Sequence, residues 1–121
     1  MDIRKLQKIV VSALEDIKGK DIEVINTAKL TSMFDRIIIA TGDSNRQVKA
    51  LAGNVSEKVR EAGGEVLSTE GEDTGDWVLV DLGDIVVHVM QPMVRQYYNL
   101  EELWQSTPAQ RRKAAEQAAA E

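Results

Sequence analysis

The run from Trp77 to Met90, WVLVDLGDIVVHVM, constrains the fold more than any other part of the chain. Two β-rich apolar stretches flank Gly83-Asp84, and a glycine in a two-residue link supplies the positive φ that a tight hairpin turn needs. A turn at this point pairs Leu82 with Ile85, Val80 with Val87 and Val78 with Val89. Because side chains alternate along each strand, these pairs share one face, which reads as core. The opposite face collects Trp77 against Met90, Leu79 against His88 and Asp81 against Val86. Such a mixture of large apolar and ionisable groups has two readings. It is a docking surface for a partner, or it packs beneath a helix, since helices cover both faces of the sheet in an α/β domain.

The rest of the chain supplies those helices and further strands. Apolar residues Ile3, Leu6, Val10, Leu14 and Ile17 recur at three- and four-residue steps, which predicts an amphipathic helix with Asp2 as N-cap and Gly19 as its end. Asp21 to Asn26 reads as a short strand. Arg36 to Thr41 is continuous and β-branched, as suits a central strand buried on both faces. After it, Gly42 to Gln47 turns into a helix, with Ser44 and Gln47 at capping-box spacing. Val48, Leu51, Ala52, Val55, Val59 and Ala62 make its apolar stripe, and Gly63-Gly64 supplies a left-handed stop. Glu65 to Ser68 reads as a strand and Thr69 to Asp76 as an acidic loop. Beyond the hairpin, Gln91-Pro92 opens one further helix carrying Arg95, Tyr97, Tyr98, Leu100, Leu103 and Trp104. An Ala-rich tail without an apolar stripe, helical or frayed, occupies 106–121. The expectation is one compact α/β domain over 1–105, a mixed sheet flanked by helices.

Composition narrows the functions open to such a domain. A length of 121 residues with 43% apolar content suits a single core. No cysteine and one histidine leave no thiolate metal site and no His-based zinc site within the chain. A net charge of −5 disfavours docking on bare nucleic acid, which rewards clustered Lys and Arg, and favours a basic protein surface. With no apolar run long enough to span a bilayer and no signal peptide, a soluble cytoplasmic protein is expected.

Three constellations bear on chemistry. The Gly42 to Gln47 turn has the shape of a phosphate cradle, but it lacks the repeated glycines of a dinucleotide fingerprint and the Lys-Ser/Thr of a P-loop, so capping is its simpler role. Asp81 and Asp84 are candidate metal carboxylates for nucleotidyl transfer, yet acids across a tight turn diverge and aspartate is a common turn residue. His88 has no nucleophile poised beside it. No catalytic constellation, cofactor site or metal site emerges.

The segment Asp76 to Met90, with Arg95, Tyr98-Asn99-Leu100-Glu101 and Leu103-Trp104 after it, resembles the signature of the ribosomal silencing factor family, also called the Iojap or RsfS family. Asp35 to Gly42, with Ser44, Arg46 and Val48, is similar to that family as well. The resemblance covers the order of elements from residue 1 to about 105 and leaves out Arg111, Arg112 and Lys113 in the tail. It implies a fold related in topology to nucleotidyltransferases without their activity, and a homodimer when free. It further implies binding to the fourteenth protein of the large ribosomal subunit, repressing translation by hindering small-subunit joining. An assembly factor for the large subunit, or an enzyme using Asp81 and Asp84, are the rival readings. Carried onto matching positions, the resemblance makes Trp77, Leu82, Gly83, Asp84, Met90, Arg95 and Tyr98 the partner-binding candidates. Trp77 and Tyr98 have the character of anchors, Asp84 would meet a basic group and Arg95 an acidic one.

Overall fold

A computed structural model describes residues 1–105. The expected N-terminal helix is α1 (Ile3–Asp16), and Asp2 caps it by accepting the Arg4 N–H. Its end differs in detail from the expectation. Lys18, not glycine, takes the left-handed conformation at φ 60°, and the Gly19 N–H returns to the Leu14 carbonyl at 2.8 Å. Gly19 serves close approach instead, since a Cβ there would lie 3.1 Å from the Leu14 oxygen and from the Leu51 side chain.

The sheet has five strands in the order β1-β2-β5-β4-β3. These are β1 (Lys20–Asn26), β2 (Arg36–Thr41), β3 (Ser68–Glu70), β4 (Trp77–Asp81) and β5 (Ile85–Met90). Only β2 and β5 run parallel, Arg36 opposite Ile85 through Thr41 opposite Met90; the other neighbours are antiparallel. The β4–β5 hairpin has the register the turn predicts, Trp77 opposite Met90, Leu79 opposite His88 and Asp81 opposite Val86. Its turn closes through Leu82 N–H to Ile85 O at 2.9 Å, with Gly83 at φ 89° and its N–H held by the Asp81 carboxylate at 2.9 Å. The strand expected at Glu65–Ser68 begins only at Ser68. A turn returns the Gly64 N–H to the Val59 carbonyl, and the chain joins β4 through Leu67 N–H and Asp81 O.

Side-chain alternation divides the sheet into two unlike faces. On one, Ile38, Ala40, Val78, Val80, Val87 and Val89 pack against the apolar stripes of α1 and of α2 (Asn45–Glu61). This aliphatic layer is the main core, and each fully buried Val, Leu or Ile in it contributes roughly 1.5–3 kcal/mol. On the other face lie Ile25, Ile37, Ile39 and Met90, with Phe34, Trp77, Val94, Leu100 and Trp104 packed on them. The covering elements are α3 (Pro92–Tyr98) and α4 (Leu100–Gln105). These replace the single helix expected after Pro92. Asn99, left-handed at φ 47° and ψ 56°, breaks the run, a conformation asparagine tolerates better than most residues. The expected tail at 106–121 lies outside the described residues.

Candidate docking site

The mixed face of the hairpin resolves into both of its alternatives. Its inner part is roofed by α3 and α4; its outer part is open. The open part is a groove of about 500 Å³ lined on the sheet by Ile37, Trp77, Leu79, Asp81, Val86 and His88. Its walls are Met33 and Phe34 from the β1–β2 loop, Leu67 and Gly83 near the hairpin tip, and Leu100, Leu103 and Trp104 of α4. The loop wall is built locally. Buried Thr27 donates its hydroxyl to the Phe34 carbonyl and its N–H to Asp35 O, and its carbonyl accepts the Leu30 and Thr31 N–H groups. Asp35 and Arg36 N–H groups both reach the Asp84 carbonyl, so this wall is fastened to the hairpin tip. Phe34 then meets Trp104 edge-on, with ring centroids 5.3 Å apart.

An aromatic cluster continues beyond the groove. Tyr98 packs on Trp77 at 4.8 Å between centroids and Tyr97 meets Tyr98 at 5.1 Å. Tyr97 is 82% exposed, and Met93, Tyr98 and Leu103 are exposed as well. Large apolar side chains held together in water characterise a surface that another macromolecule covers. Trp77 is fixed from below, where its indole N–H donates to His88 Nδ1 at 2.9 Å. Burial lowers the His88 pKa to about 4, so at neutral pH the imidazole is uncharged and available as an acceptor. Asp81 is then the charged group lining the groove among the described residues.

The sequence candidates divide accordingly. Trp77 and Gly83 line the groove, Tyr98 adjoins it, and Asp84 is exposed at the hairpin tip. Leu82 and Met90 lie inside the fold. Leu82 is 7% exposed and belongs to the main core, as its pairing with Ile85 on that face requires, and Met90 is 0% exposed beneath α3 and α4. Arg95 is largely engaged within the fold. Its side chain is only 13% exposed; Nε is held by Glu101, Nη1 by the Asp21 carbonyl and Thr41 Oγ1, and Nη2 lies 3.8 Å from Glu23. Met33, Phe34, Leu67, Leu103 and Trp104 were not among the candidates. The signal for the first two was an apolar pair, Met33-Phe34, inside an otherwise polar Thr31-Ser32…Asp35 loop.

The chemical alternatives find little geometry. At the start of α2, Ser44 Oγ accepts the Gln47 N–H at 3.1 Å and Gln47 Oε1 accepts the Asp43 N–H at 2.7 Å, while Gln47 Nε2 donates to the Ile17 and Lys18 carbonyls. The turn is a cap and a tie to α1. Asp81 is engaged with the Gly83 N–H, and no group of three or more acidic or histidine side chains among the described residues is placed to hold a metal ion. No helix among them is long and apolar enough to cross a membrane.

The described residues form one compact α/β domain, with one sheet face sealed by aliphatic helices and an aromatic groove open on the other. Its family follows from comparison with known sequences: a model of the family described as "Ribosomal silencing factor during starvation" matches residues 1–121, and the chain belongs to that family. It is 60% identical over 104 residues to Ribosomal silencing factor RsfS of Chromobacterium violaceum, covering 86% of this chain and 85% of that one. With the protein of the same name from Bacillus subtilis it shares 39% over 108 residues, 89% of this chain and 92% of the other. It is also 31% identical over 99 residues to the mouse protein named Mitochondrial assembly of ribosomal large subunit protein 1, covering 79% of this chain and 43% of that protein. A crystal structure of a Chromobacterium violaceum protein superposes with a TM-score of 0.86 at 58% identity, over 88% of this chain and 89% of that one.

Proposed function

We propose that the protein represses translation by docking on the large ribosomal subunit through its fourteenth protein, and that its bulk there keeps the small subunit from joining. The observation that carries this reading is the open groove floored by Trp77 and flanked by Tyr98, in a chain whose family is described by ribosomal silencing. Steric exclusion needs affinity and bulk but no bond-making, which suits a site rich in aromatic anchors. Trp77, Gly83 and Tyr98 would form the contact, and Asp81 and Asp84 would face basic groups of the partner. Leu82, Met90 and Arg95 support that contact from inside. Free in the cytoplasm, a second copy covering the same aromatic face would give a homodimer.

The name of the mouse relative favours a second reading, in which the same docking face meets assembling large subunits. The test is co-sedimentation of the purified full chain with isolated mature large subunits, comparing wild type with Trp77→Ala and Tyr98→Ala after circular dichroism has verified their folding. Pelleting of the wild type and loss in both variants supports docking through this groove, and a subunit-joining assay then decides repression. Failure of the wild type to pellet at micromolar concentration and moderate salt removes the silencing reading. Binding to precursor particles alone favours assembly.

A further inference from the structure

Arg95 occupies an unusual place for a residue on a short surface helix. Its Nε bonds Glu101 Oε1 on α4, and its Nη1 donates to the Asp21 carbonyl of β1 at 2.6 Å and to Thr41 Oγ1 of β2 at 2.8 Å. Nη2 lies 3.8 Å from Glu23 Oε2. One side chain thus fastens α3 to the sheet at two strands and to the helix that follows. Two of its partners are withdrawn from water, Thr41 being buried and Glu101 only 16% exposed in its side chain, so the bond to Glu101 is stronger than that of a solvated ion pair; Asp21 and Glu23 are exposed.

The backbone around it carries strain that these bonds hold. Asp21, at φ 47°, sits in the β-bulge between Lys20 and Glu23, and its carbonyl is the one Arg95 takes. Asn99, also at φ 47°, makes the corner between α3 and α4, and its N–H bonds the Arg95 carbonyl at 2.9 Å. Arg95 therefore bridges two left-handed positions, Asp21 and Asn99. Past that corner, α4 carries Leu100, Leu103 and Trp104, which form a wall of the groove.

We propose that Arg95 is a positioning residue for docking: it acts through Glu101 and the Asn99 corner to set where Trp104 and Leu103 stand, and does not itself meet the partner. The inference rests on the groove being the docking site. An acidic partner group would have to displace the bonds at Nε and Nη1 or compete with Glu23 at Nη2, and breaking bonds to a largely buried arginine is costly.

The test uses the two tryptophans of the chain, Trp77 and Trp104. In a Trp77→Phe background the fluorescence reports Trp104 alone, with no partner present. Glu101→Gln strips the charge from one tie, Thr41→Val removes the acceptor of another, and both leave Arg95 in place; Arg95→Met removes every side-chain tie. Positioning predicts a red-shifted Trp104 emission and greater acrylamide quenching in each variant. In the wild-type tryptophan background it predicts docking on large subunits weakened by on the order of tenfold, the scale of one lost charge-assisted bond. Arg95→Met and Glu101→Gln combined would weaken docking no more than Arg95→Met alone. Unchanged Trp104 emission in Glu101→Gln and Thr41→Val overturns the proposal, as does docking that stays intact or tightens when those changes free the guanidinium. These two variants keep the test decisive if Arg95→Met fails to fold. If wild type does not bind large subunits, the docking reading fails, and the Trp104 emission still judges whether Arg95 sets the wall.

Discussion

Trp77 and His88 lie diagonally across the β4–β5 hairpin, opposite Met90 and Leu79 respectively, and the indole N–H of the first donates to Nδ1 of the second at 2.9 Å. The bond fixes the largest side chain of the groove floor and assigns the imidazole proton to Nε2, since Nδ1 accepts. Trp77→Phe keeps an aromatic ring for Tyr98 to pack on but leaves His88 Nδ1 without this donor. The expected loss is about 1–2 kcal/mol, the usual consequence of orphaning a buried acceptor. Chemical denaturation of both proteins at pH 7 checks it, with an unchanged midpoint as the contrary result.

The same histidine makes stability depend on pH. Its folded pKa of about 4 lies below the unfolded value near 6.5, so between those limits the unfolded chain binds more protons than the folded one. Stability is therefore retained above about pH 6.5 and falls as pH drops towards 4, by roughly 3 kcal/mol over the window at 1.36 kcal/mol per unit. Carboxylates also titrate there, so the readout is the difference between wild type and His88→Gln. The variant should show a shallower decline from pH 7 to pH 4.5; parallel curves would mean that His88 contributes nothing.

Truncations should separate contact from support. Leu82→Ala opens space in the main core and is expected to lower stability by about 2–5 kcal/mol, with docking affinity of the remaining folded protein little changed. Leu103→Ala removes an exposed wall of the groove and should do the reverse, leaving stability within about 0.5 kcal/mol while weakening docking. Thermal melts beside co-sedimentation distinguish the two patterns.

Gly83 is required by conformation. At φ 89°, any L side chain is strained, while the space itself is open, the nearest approach of an added Cβ being 3.5 Å to Leu67. Gly83→Ala is expected to destabilise by about 1–2 kcal/mol. Gly83→D-Ala, introduced by chemical synthesis, should recover most of that loss, and equal melting temperatures for the two enantiomers would contradict the strain argument.

What the residues alone disclosed follows from how local each feature is. The hairpin register was readable because a glycine turn and a two-residue alternation together leave one pairing, and Ser44 with Gln47 marked the start of α2 by spacing alone. The internal ties of Arg95 were not readable because its partners lie as far off in sequence as Asp21 and Thr41, and no periodicity encodes a tie of that span. The corner at Asn99 was missed because aromatic and apolar residues continue on both sides of it. Met90 was taken as surface because alternation tells which face a side chain shares but not whether a helix returns over it.

The two unlike faces of the sheet have a consequence for how such a domain can diverge. Folding rests chiefly on the aliphatic layer under α1 and α2, while the groove is shaped by a loop, a hairpin tip and a short helix on the far side. On the proposed docking reading, drift at Met33, Leu67 or Leu103 would retune the choice of partner with little risk of unfolding. A lineage whose partner surface changes can follow it by substitutions on one side of a single sheet.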